Sequence, residues 1–164
     1  QFQPQLSAIT KNLHDKVELI IYGYNGNETE EENWLHDVEF TFIKPTSIIH
    51  YFKQLKALEL DLLLIPLVNN EYNTTSEDYN KFLEASLHEI PVLAPDMNPY
   101  NLIISSEING FIYSSQANLP EYVNFLINEL TNEIKLAGQK AKELVQTHFS
   151  YSEENINMIN GLFE

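Results

Sequence analysis

The run Leu60-Asp61-Leu62-Leu63-Leu64-Ile65 is almost continuously apolar and stops at Pro66. A segment this short and this apolar is a strand with both faces covered, which requires a parallel sheet with helices above and below. Its neighbours agree. Val17 to Tyr22 is a β-rich run stopped by Gly23, and Val38 to Ile43 alternates and ends before Pro45. Ile90-Pro91-Val92-Leu93-Ala94 and Asn109-Gly110-Phe111-Ile112-Tyr113 are two further strands. Between them lie helical patterns. Leu6, Ile9 and Leu13 share one face, and Thr46 or Ser47 caps a helix carrying Ile48, Ile49, Phe52, Leu55 and Leu58. The spans 78–89, 119–130 and 134–148 are helical, and Ser150-Tyr151-Ser152-Glu153 opens a last helix through Leu162. Tyr24 to Asn33 and Asn69 to Ser76 read as polar loops. Strands alternating with helices predict an α/β domain with a mainly parallel sheet and a ligand crevice at the carboxyl ends of its strands.

Charge narrows what such a crevice can hold. The 164 residues carry 24 Asp+Glu against 9 Lys+Arg, a net charge of -15, and all the basic residues are lysines. So acidic a surface has no basic footprint for nucleic acid or anionic lipid. A single small anion remains possible, because it needs only one cation or a few backbone N–H groups. There is no cysteine, hence no disulfide framework and no thiolate chemistry. His14, His36, His50 and His148 show no ligand spacing, so no metal site is expected. With neither a signal peptide nor a long apolar run in view, the expectation is a cytoplasmic domain without a membrane span.

The segment after Pro66 holds the most chemistry. At about 100° per residue, Glu77, Lys81, Glu84 and His88 form one stripe of the helix, and Phe82, Leu83, Ser86 and Leu87 face the sheet. His88, late on that helix, is expected to face solvent. The plain reading is a solvated face with a Glu77–Lys81 pair worth about a few tenths of a kcal/mol. The functional reading is that the helix N-terminus and Lys81 meet an anion while Glu84 accepts hydrogen bonds from a sugar diol.

Five segments in order carry a resemblance. They are Leu60 to Leu67, then Lys81-Phe82-Leu83-Glu84-Ala85-Ser86, then Ile90-Pro91-Val92-Leu93-Ala94-Pro95-Asp96, then Ile108 to Tyr113, and last His148-Phe149-Ser150-Tyr151. Together they resemble the donor-binding, C-terminal domain of family 4 glycosyltransferases, GT-B enzymes built from two Rossmann-like domains around a cleft. The resemblance runs from about Val17 to Glu164. It implies a Rossmann-like domain over 1–148 and a C-terminal helix over 149–164 that packs back toward the other domain. It also implies a UDP- or GDP-linked sugar as donor substrate, with no cofactor and no metal. Glu84 matches the second glutamate of the family's E-x7-E motif, which holds the donor ribose hydroxyls. Lys81 then lies near the diphosphate or ribose, Asn73 and Ser76 face the donor sugar, Lys44 lies beside the base, and Pro99-Tyr100 lies near the sugar and the cleft.

Three departures accompany the match, the first being Glu89 where the family usually has glycine before its I-P-V strand. Ser76 stands where the first glutamate of that motif belongs, and Glu77, one position late, is the nearest acidic candidate for a catalytic role that is otherwise unassigned. The family's first strand, with its phosphate-binding arginine and lysine, has no counterpart before Leu6, so a central strand is expected to be missing and the chain to be part of a longer protein. The implied function is the donor-binding half of a glycosyltransferase in glycan or surface-polysaccharide synthesis. The saccharide or protein acceptor would be supplied through another domain, which could also hold the protein peripherally at the inner membrane. The fragment alone is expected to be inactive. The alternative is a degenerate Rossmann-like domain serving as a scaffold or interaction module. A flavodoxin-like or receiver-type domain fits less well, since no acidic cluster ends the first strand.

Overall fold

The computed structural model of the chain describes residues 2–23, 35–75 and 78–149. The polar loop over 24–33, Ser76, Glu77 and the helix expected over 150–162 lie outside the described residues. The elements follow the sequence order of helix, two strands, then alternation. Helix α1 spans Gln3–Asn12, strand β1 Ile20–Tyr22, β2 Thr41–Ile43, helix α2 Ile48–Ala57 and β3 Leu63–Leu64. Then come α3 Glu71–Thr75, α4 Asn80–Ser86, β4 Val92–Pro95, α5 Tyr100–Ile103 and β5 Phe111–Tyr113. A 3-10 turn over Gln116–Asn118 leads into α6, Leu119–Glu129, and α7, Thr131–His148.

Local sequence explains the ends. Helices α1 and α6 each have proline in the first turn, where its missing N–H costs no hydrogen bond and its fixed φ suits a helix. Helix α2 begins after Ser47 without a side-chain cap; the Ser47 hydroxyl instead lies 2.7 Å from Nδ1 of His50. Every strand pairing is parallel, with Ile21 opposite Phe42, Leu64 opposite Leu93, and Ala94 opposite Ile112.

Strand β4 is the centre of the core. All four of its residues are buried, and its side chains alternate between two apolar layers, as a pleated strand dictates. Leu93 packs with Phe111, Tyr113, Leu119, Val123 and Leu126 beneath α1 and α6. Val92 and Ala94 pack with Phe82, Ala85, Ile90, Ala141 and Val145 beneath α4 and α7. Helices on both faces make the α/β architecture anticipated from the sequence. Each fully buried Phe, Leu or Val contributes about 1.5–3 kcal/mol relative to exposure.

Among the described residues the sheet is not continuous. Strands β1 and β2 form one sheet and β3, β4 and β5 another, in that order, although Ile21 and Leu64 pack against the same buried cluster. Among the described residues strand β1 does not pair with β3. The strands are also shorter than the apolar runs suggest: Val17 to Leu19, Val38 to Phe40 and Leu60 to Leu62 lie ahead of the paired segments. A strand without a partner on one edge has fewer ladder bonds to define it.

Two side-chain placements depart from the helical stripe read in the sequence. Leu87 is 46% exposed, not turned to the sheet, whereas His88 is half-buried with its ring against Phe52, centroids 6.4 Å apart. The reason is local. Helix α4 stops at Ser86, and residues 87–89 form a turn whose amides bond back to Leu83, Ala85 and Ser86, so the 3.6-residue phase no longer holds. Helix α2 is rotated as well: Leu55 is its buried residue, while Ile48 and Ile49 are 70% and 68% exposed. The span Asn69 to Ser76, read as loop, contains the five-residue α3.

Candidate functional site

Three elements meet around Glu84. It lies on α4, one turn from Lys81, and Lys81 Nζ reaches its Oε2 at 2.7 Å. From α2, the Tyr51 hydroxyl donates to the same oxygen at 2.9 Å. The Lys81 ammonium also lies 5.1 Å from the centre of the Tyr51 ring, within cation–π range. Tyr22, the last residue of β1, meets Tyr51 edge to face with centroids 5.1 Å apart, and its hydroxyl donates to Gln54. The cluster therefore joins the carboxyl end of a parallel strand to two helices, the place where doubly wound sheets bind ligands.

Its electrostatics are those of a partly desolvated triad. The Glu84 side chain is only 20% exposed against 52% for Lys81. Burial raises the Tyr51 pKa, and the Glu84 carboxylate adds to the shift, so the phenol stays a donor. For Lys81, burial works against the ammonium, but the hydrogen bond to Glu84 and the neighbouring charges outweigh it and push the pKa up. The lysine stays charged.

The other residues singled out in the sequence are placed as follows. Lys44 is exposed, one position beyond β2, whose end is tied to β1 by the Gly23 amide donating to the Ile43 carbonyl at 2.8 Å. Asn73 sits in α3 with its side-chain amide donating to the Val68 carbonyl at 2.8 Å, so it braces its own loop. Pro99 follows a cis peptide bond and is buried, and Tyr100 is fully buried among the α4–α7 layer. Its ring packs in that layer. Ser76 and Glu77 lie outside the described residues. At the N-terminus of the seven-residue α4 the Asp78 carboxylate accepts from the Asn80 amide at 2.9 Å. Among the described residues no group of three His, Cys, Asp or Glu is arranged to hold a metal ion. No helix among them is long and apolar enough to cross a membrane.

Tyr51 and Tyr22 escaped the sequence reading. The signal for Tyr51 was its spacing of four from Leu55, which puts it on the inner stripe of α2; nothing in the sequence marked Tyr22 beyond its place at a strand end.

No protein-family model and no curated protein matches the sequence. Solved structures do. The C-terminal domain of a group 1 glycosyl transferase (LpcC) from Francisella tularensis superposes with a TM-score of 0.66 at 16% identity, over 92% of this chain and 80% of that one. Anabaena HepE in complex with UDP and glucose gives 0.65 at 16% identity, over 99% of this chain and 45% of that one. HepE in complex with UDP-glucose gives 0.64 at 17% identity, over 98% and 45%. The chain thus spans less than half the length of HepE. With parallel strands flanked by helices on both faces and these superpositions, the chain has the fold of the C-terminal half of a GT-B glycosyltransferase.

Proposed function

We propose that this chain is the donor-binding half of a glycosyltransferase, taking a UDP- or GDP-linked sugar and holding its ribose hydroxyls on Glu84. The observation that carries the reading is the half-buried Glu84 carboxylate, paired with Lys81 beside the carboxyl end of β1, on a fold shared with part of HepE, whose structure is a complex with UDP-glucose. A carboxylate accepts two O–H bonds from a diol, and a neighbouring ammonium suits the adjacent diphosphate. As the sugar transfers, charge grows on the departing diphosphate, and Lys81 is the cation of the cluster able to stabilise it. The acceptor hydroxyl, from a saccharide or a protein, comes from outside this chain. The process served is glycan synthesis, on the cytoplasmic side of the membrane.

The test is titration of the chain with UDP, GDP and their sugar conjugates. Micromolar-to-millimolar binding is expected, weakened about tenfold or more in Glu84→Ala through loss of a charged acceptor. Absence of binding to all of them by the whole protein would overturn the reading. A second reading, a non-catalytic scaffold on the same fold, draws support from the lack of arginine and from the burial of Tyr100. Nucleotide binding that is unchanged in Glu84→Ala, or absent, is its signature.

A further inference from the structure

Among the described residues both hydrogen bonds to Glu84 fall on one of its oxygens. Tyr51 and Lys81 both donate to Oε2, and among the described residues no hydrogen bond falls on Oε1. Oε1 alone offers the lone pairs that a ribose diol needs.

Lys81, meanwhile, has two anions to serve once a nucleoside diphosphate enters: Glu84 and the diphosphate. This chain carries no arginine to relieve it, and the first-turn amide at Asn80 is committed to Asp78. A lysine that turned to the phosphates would leave a half-buried carboxylate without its cation, which is costly unless another donor stays behind. Tyr51 is such a donor. Its ring is held edge-on by Tyr22, at 5.1 Å and 78°, and by Phe52, at 5.3 Å and 64°. Packing therefore fixes the hydroxyl independently of the bond it makes.

We propose that Tyr51 is a positioning residue of the donor site: its hydroxyl holds Oε2 of Glu84, keeping Oε1 open to the ribose diol and releasing Lys81 to the diphosphate. This rests on the reading of Glu84 as the ribose-holding carboxylate. The experiment is calorimetric titration of the chain with UDP and with 2′-deoxy-UDP. Wild type should bind the deoxy nucleotide about tenfold more weakly, the effect of losing one hydrogen bond to a charged group. Tyr51→Phe keeps the ring contacts, yet should weaken UDP about tenfold and shrink the ribo/deoxy ratio to about twofold or less. In a Glu84→Ala background the same change should alter UDP affinity by less than about twofold, as coupled partners require. Because the ratio is taken within each variant, a general loss of folded protein cancels. Wild-type discrimination retained in Tyr51→Phe, or UDP bound by wild type without discrimination, overturns the inference and leaves nucleotide binding standing. Failure of wild type to bind UDP or GDP at all removes the functional reading, and this inference with it.

Discussion

His88 sits with Nε2 buried and no hydrogen-bond partner among the described residues. Burial lowers its pKa, and the charges of Lys56 on α2 and Lys142 on α7 lower it further. The folded chain therefore binds this proton less readily than the unfolded chain, whose histidine titrates near 6.5. The stabilisation is fully present above that value and drains away as pH falls through the lower, folded pKa. Denaturant midpoints of wild type should fall between pH 7 and 5 more steeply than those of His88→Gln, and parallel curves would refute the assignment. Glu89, next along, has φ of 60° in the left-handed region, an uncommon conformation for any residue but glycine. Its carboxylate is engaged by Lys142 at 2.7 Å across the surface. This is the position where the resemblance places glycine, and the backbone shows why a glycine belongs there.

At the level of elements, the turn over residues 87–89 matters because α7 lies directly on it. A Cβ built on Gly138 would stand 2.0 Å from the Glu89 carbonyl oxygen and 2.8 Å from its carbon, so the helix touches backbone. Helix propensity alone predicts that Gly138→Ala gains about 1 kcal/mol. The contact predicts the reverse, a loss of about 1–3 kcal/mol from overpacking against atoms that cannot move aside. Thermal melting decides the sign. The sequence carried element order and type well, because apolar runs and helical spacing record burial on both faces of the sheet. It carried orientation poorly wherever a helix ended early. Leu87 and His88 exchanged environments because α4 stops at Ser86, and no residue before Leu87 announces that stop. The site was half legible. Glu84 and Lys81 stand out as a spaced pair, but Tyr51 reaches them from 33 residues away, a relation that only the packing of α2 against α4 creates.

For the whole molecule, the net charge of -15 and the donor reading are compatible, since one lysine and one tyrosine set the polarity of a cluster far smaller than the surface. The two-part sheet has a different bearing, on how the backbone meets solvent. Along β3 and just past it the amides of Leu63 and Ile65 donate to Pro91 and Leu93, both at 2.9 Å, while the alternate residue, Leu64, turns its amide to the edge that no strand among the described residues covers. Hydrogen exchange followed residue by residue should therefore stutter along this strand. Leu63 and Ile65 should be protected, with Leu64 exchanging on the order of a hundredfold faster, since an uncovered amide needs no opening of the sheet. Even protection across all three would mean that the edge is closed in solution. An open parallel edge is also sticky in a way that charge does not govern, because any extended backbone laid along it gains hydrogen bonds whatever its side chains.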